Sequence, residues 1–139
     1  SYTVLGDGVN LASRLEGAVN QTGTTNLLCA ETKTLAADLS GIRWRRVGRL
    51  SLHGKLSSQV AYEVFRDSPS ASWRWLEQYH DALDAYESGD LQGALAGFEA
   101  ADSLRSTADA PAQRWAAQCR RLLSETALPT PLPPLTITK

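Results

Sequence analysis

The sequence predicts an α+β fold in the N-terminal half of the chain, followed by a separate all-helical segment. Three observations support this prediction. Apolar and polar residues alternate from Gln59 to Phe65, which is the pattern of a half-buried strand. The stretch 66–72 is rich in serine and contains a proline, as expected of a linker. From Trp73 onward, the apolar residues recur at helical spacing instead.

The first forty residues alternate between short strands and helices. Residues Ser1 to Leu5 form a strand in this interpretation, and a Gly-Asp-Gly turn leads from it into a helix over about Val9 to Gln21. In that turn, the Asp7 carboxylate is placed to accept the free N–H groups of the first helical turn. A second strand over Thr25 to Cys29 and a second helix over Ala30 to Leu39 follow.

Two further strands complete the α+β part. The segments Arg43 to Val47 and Arg49 to Leu52 are predicted to form one strand with an irregularity at Gly48. Residues 53–58 connect this strand to the alternating strand from Gln59 as a hairpin. The resulting β-α-β-α-β-β order is typical of an α+β sandwich with an antiparallel portion.

The remaining chain is predicted to be helical up to residue 125. Helices are expected over Trp73 to Glu87, over Leu91 to Leu104, and from Ala110 through Leu123. The pattern from Gly89 to Ala101 resembles one tetratricopeptide-type helical hairpin, which is too few repeats for a solenoid but is compatible with a protein partner.

The last stretch, 126–139, is rich in proline and is predicted to be extended and disordered. Both a polyproline ligand for a groove-type domain and a frayed terminus are compatible with this composition.

Composition limits the classes of partner. The chain has 139 residues, 42% of them hydrophobic, and a net charge of -1, so neither a nucleic acid nor an anionic membrane is predicted as a partner. No apolar run approaches the roughly 18 residues that a membrane helix needs. The cysteines Cys29 and Cys119 fall in different predicted units, which favours reduced thiols, and two cysteines alone make no metal site.

The first helix carries a polar stripe on an otherwise apolar surface. Asn10, Arg14, Gly17 and Gln21 share one face by their spacing. Asparagine can donate and accept hydrogen bonds together, and arginine offers a planar charged fork that suits phosphate. The alternative is a solvated surface in which Arg14 pairs with a carboxylate.

Two motifs point to a family. The run Tyr2–Glu16 resembles the signature of the class III nucleotidyl cyclases, in which a Gly-Asp/Asn-x-Val-Asn-x-Ala-x-Arg core opens the substrate-binding helix. At the matching distance, Gly48–Lys55 and Val60–Val64 resemble the closing strand, the lysine-bearing turn and the final strand of that family.

The resemblance covers 1–65 and implies the C-terminal half of a ferredoxin-like cyclase domain, truncated at its N-terminus. In this interpretation the linker 66–72 leads to a tetratricopeptide-like tail over 73–125. Some bacterial cyclases with membrane spans carry a similar helical tail. The resemblance therefore implies that this chain lies in the cytoplasm and that its parent protein could be anchored in a membrane.

The resemblance also implies roles for four residues. Arg14 would stabilise the transition state, and Asn10 would orient the ribose. Lys55 would contact the terminal phosphates, although an exposed hairpin lysine is the alternative. Thr3 would contact the purine edge and favours ATP over GTP, because its hydroxyl can accept from the adenine amino group.

Three other polar residues receive a less specific interpretation. Asp7 is expected to be structural. His53 lies beside the lysine-bearing turn, where a second phosphate contact and a plain surface histidine are both compatible with the sequence. His80 lies on the helical tail without an assigned role.

The family holds two Mg²⁺ or Mn²⁺ ions with a pair of aspartates from the N-terminal half of the domain, across a head-to-tail dimer. No matching segment occurs in this chain, which starts at Ser1 inside the motif and has no methionine. We therefore expect a fragment of a longer adenylate cyclase, inactive alone. A non-catalytic module that combines cyclase homology with a tetratricopeptide-like tail is the alternative.

Overall fold

The computed structural model describes residues 27–35, 40–52 and 58–137. The chain divides into two units, of which the first comprises 1–71 with 136–139 and the second comprises 72–135. The boundary between 71 and 72 lies inside the stretch predicted as a linker. Among the helices in the described ranges, none is both long and apolar enough to cross a membrane.

The first unit is built on a small sheet. In chain order the elements of this sheet and its helix are β1 (Leu28–Cys29), α1 (Ala30–Leu35), β2 (Ile42–Leu52), β3 (Gln59–Arg66) and β4 (Leu135–Ile137), and the first residue of β4 falls in the second unit. The strands lie in the order β1-β3-β2-β4, and β3 is antiparallel to both β1 and β2. The α+β class predicted from the sequence is thereby confirmed.

The hairpin of β2 and β3 contains the predicted irregularity. Arg46 pairs with Tyr62 and Gly48 pairs with Ala61, so Val47 is the extra residue of a β-bulge. Gly48 has a φ of 131°, a region that side-chain-bearing residues rarely adopt. Glycine at this position therefore lets the longer strand stay in register on both sides of the bulge.

One face of the hairpin buries an ion pair. Arg45 donates from Nε and Nη2 to Oε1 of Glu63, at 3.1 and 2.7 Å, and the two side chains are only 1% and 3% exposed. Ala61 lies on the same face and is also buried, whereas Tyr62 and Val64 on the opposite face are half-buried. The sequence alternation separated these two faces correctly but carried no sign that the face bearing glutamate is the more deeply buried one.

The C-terminal end of the chain differs from its prediction. The sequence predicts disorder over 126–139, but Leu135–Ile137 forms β4 beside β2, and Leu135 is buried. A three-residue strand has too few residues to show a period, and its hydrogen bonds come from a partner strand distant in sequence. Local composition therefore did not reveal it.

The second unit consists of α2 (Arg74–Glu87), α3 (Leu91–Leu104) and α4 (Ala110–Leu123), in agreement with the predicted helices. Side-chain caps begin the last two helices: Asp90 accepts from the N–H of Gly93 at 2.9 Å, and Asp109 accepts from the N–H of Ala112 at 3.3 Å. Gly89, with a φ of 92°, ends α2 and allows the tight turn into α3.

Aromatic rings from all three helices form the core of this unit. Tyr79 of α2 meets Phe98 of α3 edge-on at 5.3 Å, and Phe98 stacks on Trp115 of α4 at 5.8 Å. All three rings are essentially fully buried. Such aromatic contacts contribute about 0.5–1.5 kcal/mol each beyond the area they bury, so they fix how the three helices pack.

Candidate functional site

The residues that the sequence predicts to carry the chemistry lie outside the described ranges. This holds for Thr3, Asn10, Arg14 and Lys55, and equally for Asp7 and His53. Their roles stay predictions, and the structure neither brings them together nor separates them.

The described strands do define the connection in which Lys55 occurs. Strand β2 ends at Leu52 and β3 begins at Gln59, with Leu50 and Gln59 paired in the ladder. At the same end of the hairpin, Arg49 donates to the hydroxyl of Ser58 at 3.3 Å. The segment 53–57 therefore connects two antiparallel, hydrogen-bonded strands, as the hairpin prediction required.

A lysine lies over two aromatic rings on the half-buried face of the hairpin. The Nζ of Lys33, from α1, is 5.2 Å from the ring centroid of Tyr62 and 5.7 Å from that of Trp44. The two rings meet edge-on at 6.4 Å. Each cation–π contact contributes about 0.5–1 kcal/mol near a surface, so this arrangement attaches α1 to the sheet.

A second group of polar side chains occurs in the helical unit. Gln118 of α4 donates from Nε2 to the hydroxyl of Tyr86 of α2 at 2.9 Å, and to the carbonyls of Pro133 and Pro134 at 3.2 and 3.1 Å. The Tyr86 hydroxyl donates in turn to the Pro133 carbonyl. We call Tyr86 and Gln118 the donor pair. Both residues are buried, with 3% and 8% of their surface exposed.

Burial raises the pKa of Tyr86 above its ordinary value, an effect that the hydrogen bond from Gln118 partly offsets. The phenol therefore stays protonated at neutral pH and can act as a donor. The helical spacing that predicts α2 and α4 does not distinguish Tyr86 or Gln118 from the residues around them. The available signal was the position of Gln118 between Trp115 and Leu122, as an amide within the buried stripe of α4.

A shallow cleft of about 400 Å³ lies between α3 and α4. Its rim is paired internally: Arg120 contacts Glu99 at 2.9 Å, and Gln113 donates to Asp102 at 3.1 Å. Phe98 contributes to its lining. Because these rim groups already satisfy one another across the cleft, it offers no polar group that calls for a ligand.

The described cysteines and histidine lie in the core or against aromatic rings. Cys29 and Cys119 are both buried, and no disulfide joins them. Burial raises the pKa of Cys119 to about 11, so its thiol is protonated at neutral pH and is a poor nucleophile. His80 contacts the ring of Tyr79 edge-on at 6.2 Å. Within the part of the chain that the structure describes, no three His, Cys, Asp or Glu residues form a group that could hold a metal ion.

Comparison of the chain with protein-family models, with curated proteins and with solved structures found no match. The cyclase resemblance therefore depends on the motif residues themselves.

Proposed function

We propose that this chain is the C-terminal part of a class III adenylate cyclase, which in its full-length head-to-tail dimer converts ATP to 3′,5′-cyclic AMP and diphosphate. The observation that carries the proposal is the sequence Gly6–Arg14, in which Gly-Asp-Gly is followed by Asn10 and Arg14 at a spacing of four residues, one turn of the helix that the sequence predicts. A scaffold without catalysis has no need for this pair on a predicted helix that is otherwise apolar.

In the proposed reaction, the ribose 3′-oxygen forms a bond to the α-phosphorus and loses its proton, and the bond from that phosphorus to the diphosphate breaks. Negative charge builds on the phosphoryl oxygens and on the leaving group. Arg14 would neutralise the phosphoryl charge, Asn10 would hold the ribose, and Lys55 would bind the terminal phosphates. Thr3 would accept from the adenine amino group.

Two Mg²⁺ or Mn²⁺ ions would supply the remaining positive charge on the phosphates. By resemblance, their aspartate ligands belong to the N-terminal half of the domain in the partner subunit. The described hairpin supports the proposal in one respect, because the segment with Lys55 joins paired antiparallel strands as the family pattern requires.

The test is cyclic AMP production by the chain extended upstream to include the metal-binding half, assayed with Mn²⁺ and ATP. Replacing Arg14 by alanine should lower kcat by at least about 10³-fold, the usual effect of removing an arginine that stabilises phosphoryl transfer. The matched control is Arg74→Ala, at an exposed position on α2, which should leave the rate unchanged. Activity that is indifferent to Arg14, or no activity at all, would contradict the proposal.

A second candidate function is a non-catalytic interaction module. It is favoured by the helical unit, in which α2 and α3 pack against each other as a helical hairpin. In that case the extended chain would lack cyclase activity while the helical unit still bound a partner.

A further inference from the structure

We propose that residues 133–137 form a strap, through which the packing of α2 against α4 controls whether the outer edge of β2 is covered. The donor pair binds the first two residues of this segment, and the remaining three form β4 beside β2. This inference goes beyond the proposed cyclase activity and does not depend on it.

The first anchor of the strap needs two helices at once. Tyr86 belongs to α2 and Gln118 to α4, and both side chains donate to the carbonyl of Pro133. Gln118 also donates to the Tyr86 hydroxyl and to the carbonyl of Pro134, and the Tyr86 ring contacts Trp115 of α4 at 4.8 Å. Because both donors are buried, losing their acceptors is costly. The anchor therefore depends on α2 and α4 being packed against each other.

The second anchor, β4, is weak by itself. This strand has three residues, of which Leu135 is buried and Thr136 is exposed. Ordering such a segment costs conformational entropy, which the few hydrogen bonds of so short a strand offset only in part. Every residue from 124 to 131 is exposed, so burial of the chain after α4 resumes only at 132–135, where the donor pair binds it.

The donor pair acts on β4 through proximity. Pro134 and Leu135 are consecutive, so fixing the Pro134 carbonyl keeps β4 next to its pairing edge and raises its effective concentration there. Without this anchor, β4 would be tethered to α4 only through 124–134. A longer free tether lowers the effective concentration of the strand at the edge, and the pairing of β4 with β2 becomes weaker.

The strap matters because β2 is a long strand. It has 11 residues, and in the order β1-β3-β2-β4 its other side is paired with β3. In the described part of the sheet, removing β4 would leave β2 at the edge, with N–H and C=O groups open to pairing with another chain. The strap thus makes the protection of this edge conditional on the packing of α2 against α4.

The experiment is hydrogen–deuterium exchange of the full chain, followed by mass spectrometry of peptides from β2, β4 and α3. Tyr86→Phe, which keeps the ring, and Gln118→Ala should each accelerate exchange of β4 and of the β2 amides that face it by at least about tenfold. The matched control is Gln92→Ala, at an exposed position of α3, which should leave these rates unchanged. Protection of α3 shows that the helical unit is folded. If one variant loses it, the other variant decides.

A chain that ends at Pro134 separates the strap from a general loss of stability. Removing 135–139 should accelerate exchange of β2 by at least about tenfold, because its cover is gone. In this shortened chain, Tyr86→Phe and Gln118→Ala should have no further effect on β2. The proposal is overturned if the shortened chain keeps β2 protected, if neither variant accelerates exchange in the full chain, or if the variants act equally in the shortened chain.

Discussion

Replacing Gly97 by alanine tests how closely α2 and α3 approach. A β-carbon built on Gly97 would lie 2.7 Å from the Cβ of Ala82 and 3.2 Å from its Cα. Carbon atoms in good contact are about 3.5–4.0 Å apart, so the helices would have to separate by roughly 0.8 Å at this point. Overpacking of this kind typically costs about 1–3 kcal/mol.

The helix propensity acts in the opposite direction. In a helix interior, Gly→Ala without a steric clash should stabilise by about 1 kcal/mol. For Gly97→Ala we therefore expect a net loss of about 1 kcal/mol in the free energy of unfolding. In a unit of this size such a loss lowers Tm by about 4–8 °C. The sign of the change separates steric overpacking from helix propensity, since helix propensity alone predicts an increase in the free energy of unfolding.

The assay is urea denaturation of the full chain followed by tryptophan fluorescence, because three of its four tryptophans lie in the helical unit. The double variant Gly97→Ala with Ala82→Gly removes the opposing methyl group and keeps the summed helix propensity. The methyl group introduced at position 97 would still meet a Cα at 3.2 Å, a deficit of a few tenths of an ångström. We expect a favourable coupling of about 1–3 kcal/mol between the two changes. A stabilising Gly97→Ala, or strictly additive effects, would refute the close approach.

Two further predictions concern buried ionisable groups. Glu63→Ala deprives the buried Arg45 of its carboxylate and should lower the free energy of unfolding by about 3–5 kcal/mol. The control Glu99→Ala removes an exposed ion pair with Arg120 and should lower it by less than about 1 kcal/mol. Equal losses for the two variants in urea denaturation would contradict this difference. Burial raises the pKa of the Cys119 thiol from 9.0 to about 11 in the folded protein. As the pH rises, the unfolded chain therefore releases the thiol proton at a lower pH than the folded chain does. The free energy of unfolding should consequently fall as the pH rises from 9 toward 11. Cys119→Ala should reduce that fall, and an identical pH profile for the variant would count against it.

Much of the secondary structure was predictable because its signals are local. The predicted helix Leu91–Leu104 has the same bounds in the structure, since Gly89 and Asp90 end one helix and cap the next through contacts within a few residues. The hairpin of β2 and β3 was likewise predictable, including its bulge at Gly48, because glycine marks a backbone conformation that other residues avoid. The cyclase residues are a prediction of the same local kind, from a motif.

The tertiary structure decided what depends on partners distant in sequence. An alternating strand shows that Glu63 and Tyr62 lie on opposite faces, but only packing decides that the face with Glu63 is more deeply buried and that Arg45 neutralises it there. The contacts of Gln118 with Tyr86 and Pro133 join residues 32 and 15 positions apart. Periodicity in the sequence describes one helix or strand at a time, whereas burial and hydrogen-bond partners depend on how helices and strands pack together. For this reason the sequence determined the helices and the hairpin but not these contacts.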